Sequence, residues 1–226
     1  MIPDGDFAPY DEKETTAQLA GLTRYLDSGA RVADLGAGRG RIARPLALGG
    51  ALVVAVDSSI PGDSDRRWAE DPGIVLIEED FLGPDPAWLR AGPFDAVCCL
   101  GNTINLFLED EPVERLFELA SRAVVEDGVL LLDDVPCWCE ELLDPDDWPN
   151  GIHRSGTQQL AWVPDAPIFS YRRGPEVDPG SRIPGPHERL LRLWSAPELD
   201  RLADVHGWGP SRHLEDDLLM VFSRRV

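Results

Sequence analysis

The sequence predicts an α/β fold: a doubly wound, mostly parallel sheet with an antiparallel C-terminal strand and a small antiparallel insertion. Three observations carry this. Short apolar runs end in an acidic residue: Val32–Asp34, Ala51–Asp57, Gly73–Asp80 and Val129–Asp134. Segments with helical apolar spacing or helix-start signals separate most of these runs. A glycine turn follows the first run, with Gly36, Gly38 and Gly40 at alternate positions. Alternating strands and helices bury a parallel sheet between helical layers, with ligands at the carboxyl ends of the strands. The 226 residues suit a single domain spanning 1–226.

In chain order, Asp11 to Leu26 reads as a helix before the first strand, Val32–Leu35. Glycines in the turn allow tight reversal and close approach of a ligand to the backbone. Arg41 to Ala47 starts a helix whose first N–H groups lack intrahelical partners. A dinucleotide fingerprint would place glycine or alanine where Arg41 stands. A phosphate-cradling P-loop needs a Gly-Lys-Ser/Thr ending, and the only lysine is Lys13. By itself the turn remains either a site for another nucleotide or an ordinary strand-to-helix connection. Asp57 stands 21 positions after Gly36, the distance at which an acid accepts ribose hydroxyls in doubly wound folds.

The third run ends in Asp80-Phe81, with Gly83-Pro84 immediately behind, so Asp80 also suits a turn cap. The fourth run, Phe94–Leu100, leads into Gly101-Asn102. Asn102 suits either ligand contact or a left-handed turn. Glu111 to Val125 has the apolar spacing of a helix, with Pro112 in its first turn. Asp127-Gly128 then turns into Val129–Asp134. Within the insertion, Gly156–Val163, Pro167–Arg173 and Glu188–Trp194 read as strands. Ser195, Pro197 and Glu198 mark the start of a helix that stops at Gly207. Leu218–Phe222 is the last strand.

The pattern Asp34-x-Gly36-x-Gly38-x-Gly40, together with Asp57, Asp80-Phe81 and Leu100-Gly101-Asn102, resembles class I S-adenosylmethionine-dependent methyltransferases. The fourth segment resembles the small-molecule, glycine N-methyltransferase-like type, and the Asn-Pro-Pro-Tyr signature is absent. The resemblance covers most of the chain and implies a Rossmann-like fold with S-adenosyl-L-methionine as cofactor. It implies that Asp34, Gly36, Ala37, Gly38 and Gly40 hold the amino-acid part. Asp57 and Ser58 would meet the ribose, and Asp80 and Phe81 the adenine. Leu100, Gly101 and Asn102 would lie at the methyl end, and Tyr10 would reach the donor from the N-terminus. The expected reaction is methyl transfer to an N or O atom of a small molecule. The alternative is a non-catalytic protein that keeps the donor site.

Residues 139–190 match the family least and are rich in Pro, Gly and aromatics, and the insertion is expected to span 139–194. They are expected to cover the substrate side as a lid. A hydroxyl acceptor needs a base; His153 and His187 are the candidates, and Asp133 could orient the acceptor. His206 suits a helix-end cap, and His213, before an acidic run, reads as solvated. A formal charge of −20 argues against nucleic acid as a partner. No apolar run approaches the roughly 18 residues of a membrane helix, and the acidic start lacks a secretory pattern. The expected setting is cytoplasmic, with a small-molecule substrate, and a homodimer is left open. Cys98 and Cys99 read as strand hydrophobes. Cys137-Trp138-Cys139 lacks zinc-site spacing, so no metal is expected.

Overall fold

A computed structural model describes residues 12–59, 67–134, 144–214 and 218–225. Tyr10, Cys137 and Cys139 lie outside them. The strands are β1 Arg31–Leu35, β2 Leu52–Asp57, β3 Ile74–Glu78, β4 Phe94–Cys99 and β5 Val124–Asp133. They continue as β6 Gln158–Trp162, β7 Ile168–Arg173, β8 Leu191–Arg192, β9 Arg212–Leu214 and β10 Leu219–Ser223. The helices are α1 Glu12–Leu22, α2 Ala43–Leu48, α3 Asp110–Ala123 and α4 Ala196–Val205.

The seven-stranded sheet has the order β3-β2-β1-β4-β5-β10-β9. β1 pairs in parallel with both β2 and β4, and β10 runs antiparallel to β5. Strand order therefore reverses between β1 and β4, where doubly wound sheets open a ligand crevice. The predicted sheet and its antiparallel C-terminal strand are both present. β1 and β2 are apolar along nearly their whole length because both faces are covered. On one face Ala33, Val97, Leu130 and Leu132 pack with α3 and α4; on the other Val32, Ala55, Cys98 and Leu131 pack with Leu22 and α2.

The local signals place their elements to within a few residues. α4 starts with the reciprocal bonds of a capping box between Ser195 and Glu198. α1 ends at Leu22, four residues short of the expected Leu26. The largest difference is at β5, which begins at Val124 and carries Asp127-Gly128 within it. The register between β4 and β5 shifts between Phe94 and Ala96, and this irregularity absorbs the expected turn.

The insertion forms a separate antiparallel sheet, β6-β7-β8. Its two faces differ because neighbouring side chains alternate. Leu160, Phe169 and Leu191 join the main core, with Trp162 and Tyr171 beside them. Trp194 donates its Nε1–H to the carbonyls of Ile104 and Phe107, tying this region to the segment after β4. The opposite face carries Gln159, Ser170 and Arg172, all buried. Arg172 binds Glu188 and the carbonyls of Ser181 and Ile183, so the loop at 174–190 covers this polar face.

Candidate functional site

The site is assembled at the carboxyl ends of β1, β2, β4 and β5. Behind β1 the chain turns through Gly36, Gly38 and Gly40, all with positive φ. Two of these glycines are fixed by packing as well as by backbone angle. A Cβ on Gly36 would stand 2.6 Å from Thr103 Oγ1, and one on Gly40 would enter the Trp68 ring. Gly38 differs, since a Cβ there would meet nothing within 4 Å. The turn is thus packed on its inner side and open at Gly38. Ala37 is buried and donates its N–H to the Val56 carbonyl.

Asp57 holds this turn from the end of β2. Its Oδ2 accepts the Gly38 N–H and its Oδ1 the Ser59 N–H, both at 2.9 Å. Ser58 beside it is exposed. Asp133 does the corresponding work at β5. Its Oδ2 accepts the Asn102 N–H at 2.7 Å, while Oδ1 accepts Gly101 N–H and the Gln18 side-chain amide. Asp133, the candidate for orienting an acceptor, has both oxygens bonded to internal donors and anchors the loop after β4. Leu100 is buried, and its carbonyl accepts the Thr103 hydroxyl.

Asn102 is held in the left-handed region, with φ 63°. Its side chain is buried, yet neither its amide nitrogen nor its oxygen has a hydrogen-bond partner among the described residues. Asn105 Oδ1, three residues on, is in the same state. Buried amides are ordinarily satisfied, because an unmade bond costs about 1–3 kcal/mol. Asp34 adds a third such group: it is 3% exposed and its Oδ2 has no partner among the described residues. Burial pushes its carboxyl up to about 7, against the pull of Arg41 and an Ala43 backbone hydrogen bond. Arg41 is itself steadied by Gln18 Oε1 at 2.9 Å.

Asp80 and Phe81 meet at the end of β3, but each also has a local task. Asp80 is exposed and its Oδ1 caps the Leu82 N–H at 2.9 Å. Phe81 is buried edge-on against Phe107. The candidate bases lie in the insertion. His153 Nδ1 sits 2.8 Å from Ser155 Oγ and its ring packs on Trp148. His187 is exposed on the loop at 174–190. His206 is the C-cap of α4, as expected. His213 differs from expectation: its Nδ1 lies 3.0 Å from Oδ1 of Asp134, a buried residue just past β5. Strand pairing brings the two together across 79 residues, which no local signal could show.

Several residues of the site carried no sequence signal. Gln18 lies on α1 far from any motif, yet its side chain bridges Arg41 and Asp133. Thr103 and Trp68 wall the glycine turn.

No protein-family model matches this chain. A protein of Geobacillus sp. (strain WCH70), named as a methyltransferase, is 33% identical over 128 residues. That match takes in 56% of this chain and 51% of the relative. The chain spans about half the length of the curated relatives it matches. Among solved structures, the sugar N-methyltransferase KedS8 of Streptoalloteichus sp. ATCC 53650 superposes with a TM-score of 0.62. It is 18% identical, and the likeness covers 100% of this chain and 97% of that one. CalS10, a SAM-bound amino pentose methyltransferase of Micromonospora echinaspora, gives 0.61 at 17% identity, covering 94% and 90%. This chain has the fold of the Rossmann-like methyltransferases.

Proposed function

We propose that the chain binds S-adenosyl-L-methionine at the carboxyl ends of β1, β2 and β4 and transfers its methyl group to an N or O atom of a small molecule. The observation that carries this is the set of buried, unpartnered polar groups, Asp34 Oδ2, the Asn102 amide and Asn105 Oδ1, beside a glycine turn that is open at Gly38. Such groups fit a polar ligand that completes their hydrogen bonds. The residues that would hold it are Asp34, Gly36, Ala37, Gly38 and Gly40 at the amino-acid part, Asp57 and Ser58 at the ribose, Asp80 and Phe81 at the adenine, and Leu100, Gly101 and Asn102 at the methyl end. Tyr10 stays a proposed contact. When bound, the donor supplies an activated methyl group for in-line displacement. The chain's part is positioning, exclusion of water and electrostatics.

The nitrogen acceptor is favoured, since KedS8 is named for sugar N-methylation and CalS10 for an amino pentose. An amine must arrive deprotonated, and a hydroxyl would call for a base such as His153 or His187. The insertion is the proposed lid, its aromatic face packed against the segment after β4. Among the described residues no helix is long and apolar enough to cross a membrane, in keeping with a proposed cytoplasmic setting.

Titration calorimetry with S-adenosylmethionine and S-adenosylhomocysteine tests the site: both should bind. No heat at millimolar ligand, from protein shown to be folded, overturns it. Transfer is then followed by mass spectrometry on a panel of amino sugars, amines and phenols, with a mass gain of one methylene as the expected outcome.

A further inference from the structure

Asp34 stands out among the acids of this site. It lies at the end of β1, in register with Cys98 on β4, where the strand order reverses. Asp57 and Asp133 each accept at least two N–H groups. Asp34 Oδ2 accepts none among the described residues, although water is excluded from it. The groups facing Asp34 come from every neighbouring element. Arg41 approaches from the glycine turn, Asp57 from β2 and Asp133 from β5; the Cys98 and Cys99 thiols on β4 are held neutral by burial. Among the described residues, Arg41, already bonded to Gln18 and Thr15, stands against two carboxyl groups and a dry surrounding.

We propose that filling the donor site expels a proton from the Asp34 carboxyl, so that affinity for ligands carrying the methionine-type α-ammonium rises as the pH rises through neutrality. The inference rests on the proposed donor site. In the unliganded protein the Asp34 O–H bond is intact in part of the population. The ammonium of the ligand supplies the positive charge and the N–H donors that Oδ2 lacks. The O–H bond then breaks, its electron pair stays on the carboxylate, and the proton passes to the buffer. A ligand can shift a titration only by binding one protonation state better than the other, and the ammonium favours the ionised one.

The test is calorimetry with S-adenosylhomocysteine in two buffers of different ionisation enthalpy, which counts protons released per ligand bound. With Asp34 titrating at about 7 in the free protein, about half a proton should leave at pH 7 and only about a tenth at pH 8, where the ligand still carries most of its ammonium. Affinity at pH 6 should be about tenfold weaker than at pH 8. 5′-Methylthioadenosine, which lacks the amino-acid part, should bind without release. Asp34→Asn should abolish the release in protein that keeps its circular dichroism spectrum. A second reading needs no variant: carbon-13 NMR of the aspartate carboxyls should show one group titrating near neutrality in the free protein and not in the complex. Binding of S-adenosylhomocysteine without proton release, or no such resonance, overturns the linkage and leaves the donor site standing. No binding of either adenosyl ligand overturns both.

Discussion

Asp133 and Asn102 join the end of β5 to the loop after β4: the Asp133 carboxylate accepts the Asn102 backbone N–H at 2.7 Å and fixes a residue at φ 63°. The same carboxylate receives Gly101 and Gln18. Asp133→Ala leaves these donors buried without an acceptor and should cost about 3 kcal/mol. Urea unfolding is the measurement. Loss of donor binding should exceed the loss of stability, because Asn102 is released with the loop. A variant as stable as the wild type would show that water replaces the carboxylate.

The three glycines of the turn should respond differently to alanine. Gly40→Ala drives a Cβ into the buried Trp68 ring at a positive φ, and about 3 kcal/mol of stability should go with it. Gly38→Ala meets open space, so only backbone strain of about 1 kcal/mol is expected. Its fold should survive, while the methyl projects where the ligand is proposed to lie and affinity falls more than about tenfold. Thermal melts beside calorimetry separate the two cases.

Asp57 holds the Gly38 N–H in the unliganded chain. Asp57→Ala should therefore loosen the turn as well as remove the proposed ribose acceptor. S-Adenosylhomocysteine affinity should fall by at least about tenfold, with a smaller change in melting temperature. Unchanged affinity would remove Asp57 from the site.

Asp34 also ties stability to pH. Its folded-state pKa, about 7, lies above the ordinary 3.8. The folded protein thus binds this proton more tightly than the unfolded chain. The stability it contributes is complete below about pH 3.8 and is lost as pH rises to 7, a change on the order of 4 kcal/mol. Asp34→Asn, which never carries the charge, should be the more stable protein at pH 8 and should match the wild type near pH 4. Urea midpoints across that range check the sign.

Arg172 donates to Glu188, Gln159 and the carbonyls of Ser181 and Ile183, and it is 5% exposed. Arg172→Ala removes the counter-ion of Glu188 and one of the donors to Gln159, Ser181 and Ile183, so about 3 kcal/mol should be lost. The loss should concentrate in the insertion. Hydrogen exchange should rise across 174–190 and in β6 and β7, with β1, β2 and β4 still protected.

Local chemistry made much of this protein legible. Buried parallel strands read as apolar runs because both faces are covered, and Ser195-x-x-Glu198 closes its cap within one turn. The Gly36–Gly40 turn is readable because positive φ at alternate positions demands glycine. Asp127-Gly128 lies within β5 in the register shift against β4, between the paired residues Val124 and Val129, so the turn signal is spent inside the strand. Asp80 and Phe81 were found in position, though their capping and packing depend on Leu82 and Phe107.

Sequence alone determined the strands, their acidic ends, the glycine turn and the order in which they come. Only tertiary structure decided which carboxyl does what. Asp57 reaches Gly38, Asp133 reaches Asn102 and Gln18, Asp134 reaches His213, and Asp34 is left with one buried oxygen, Oδ2, that has no donor among the described residues. The reason is physical: at a strand end every aspartate looks alike along the chain. Donors reach Asp57 and Asp133 from a turn and a helix 19 and 115 residues away, and burial, which sets protonation, exists only once those elements have packed.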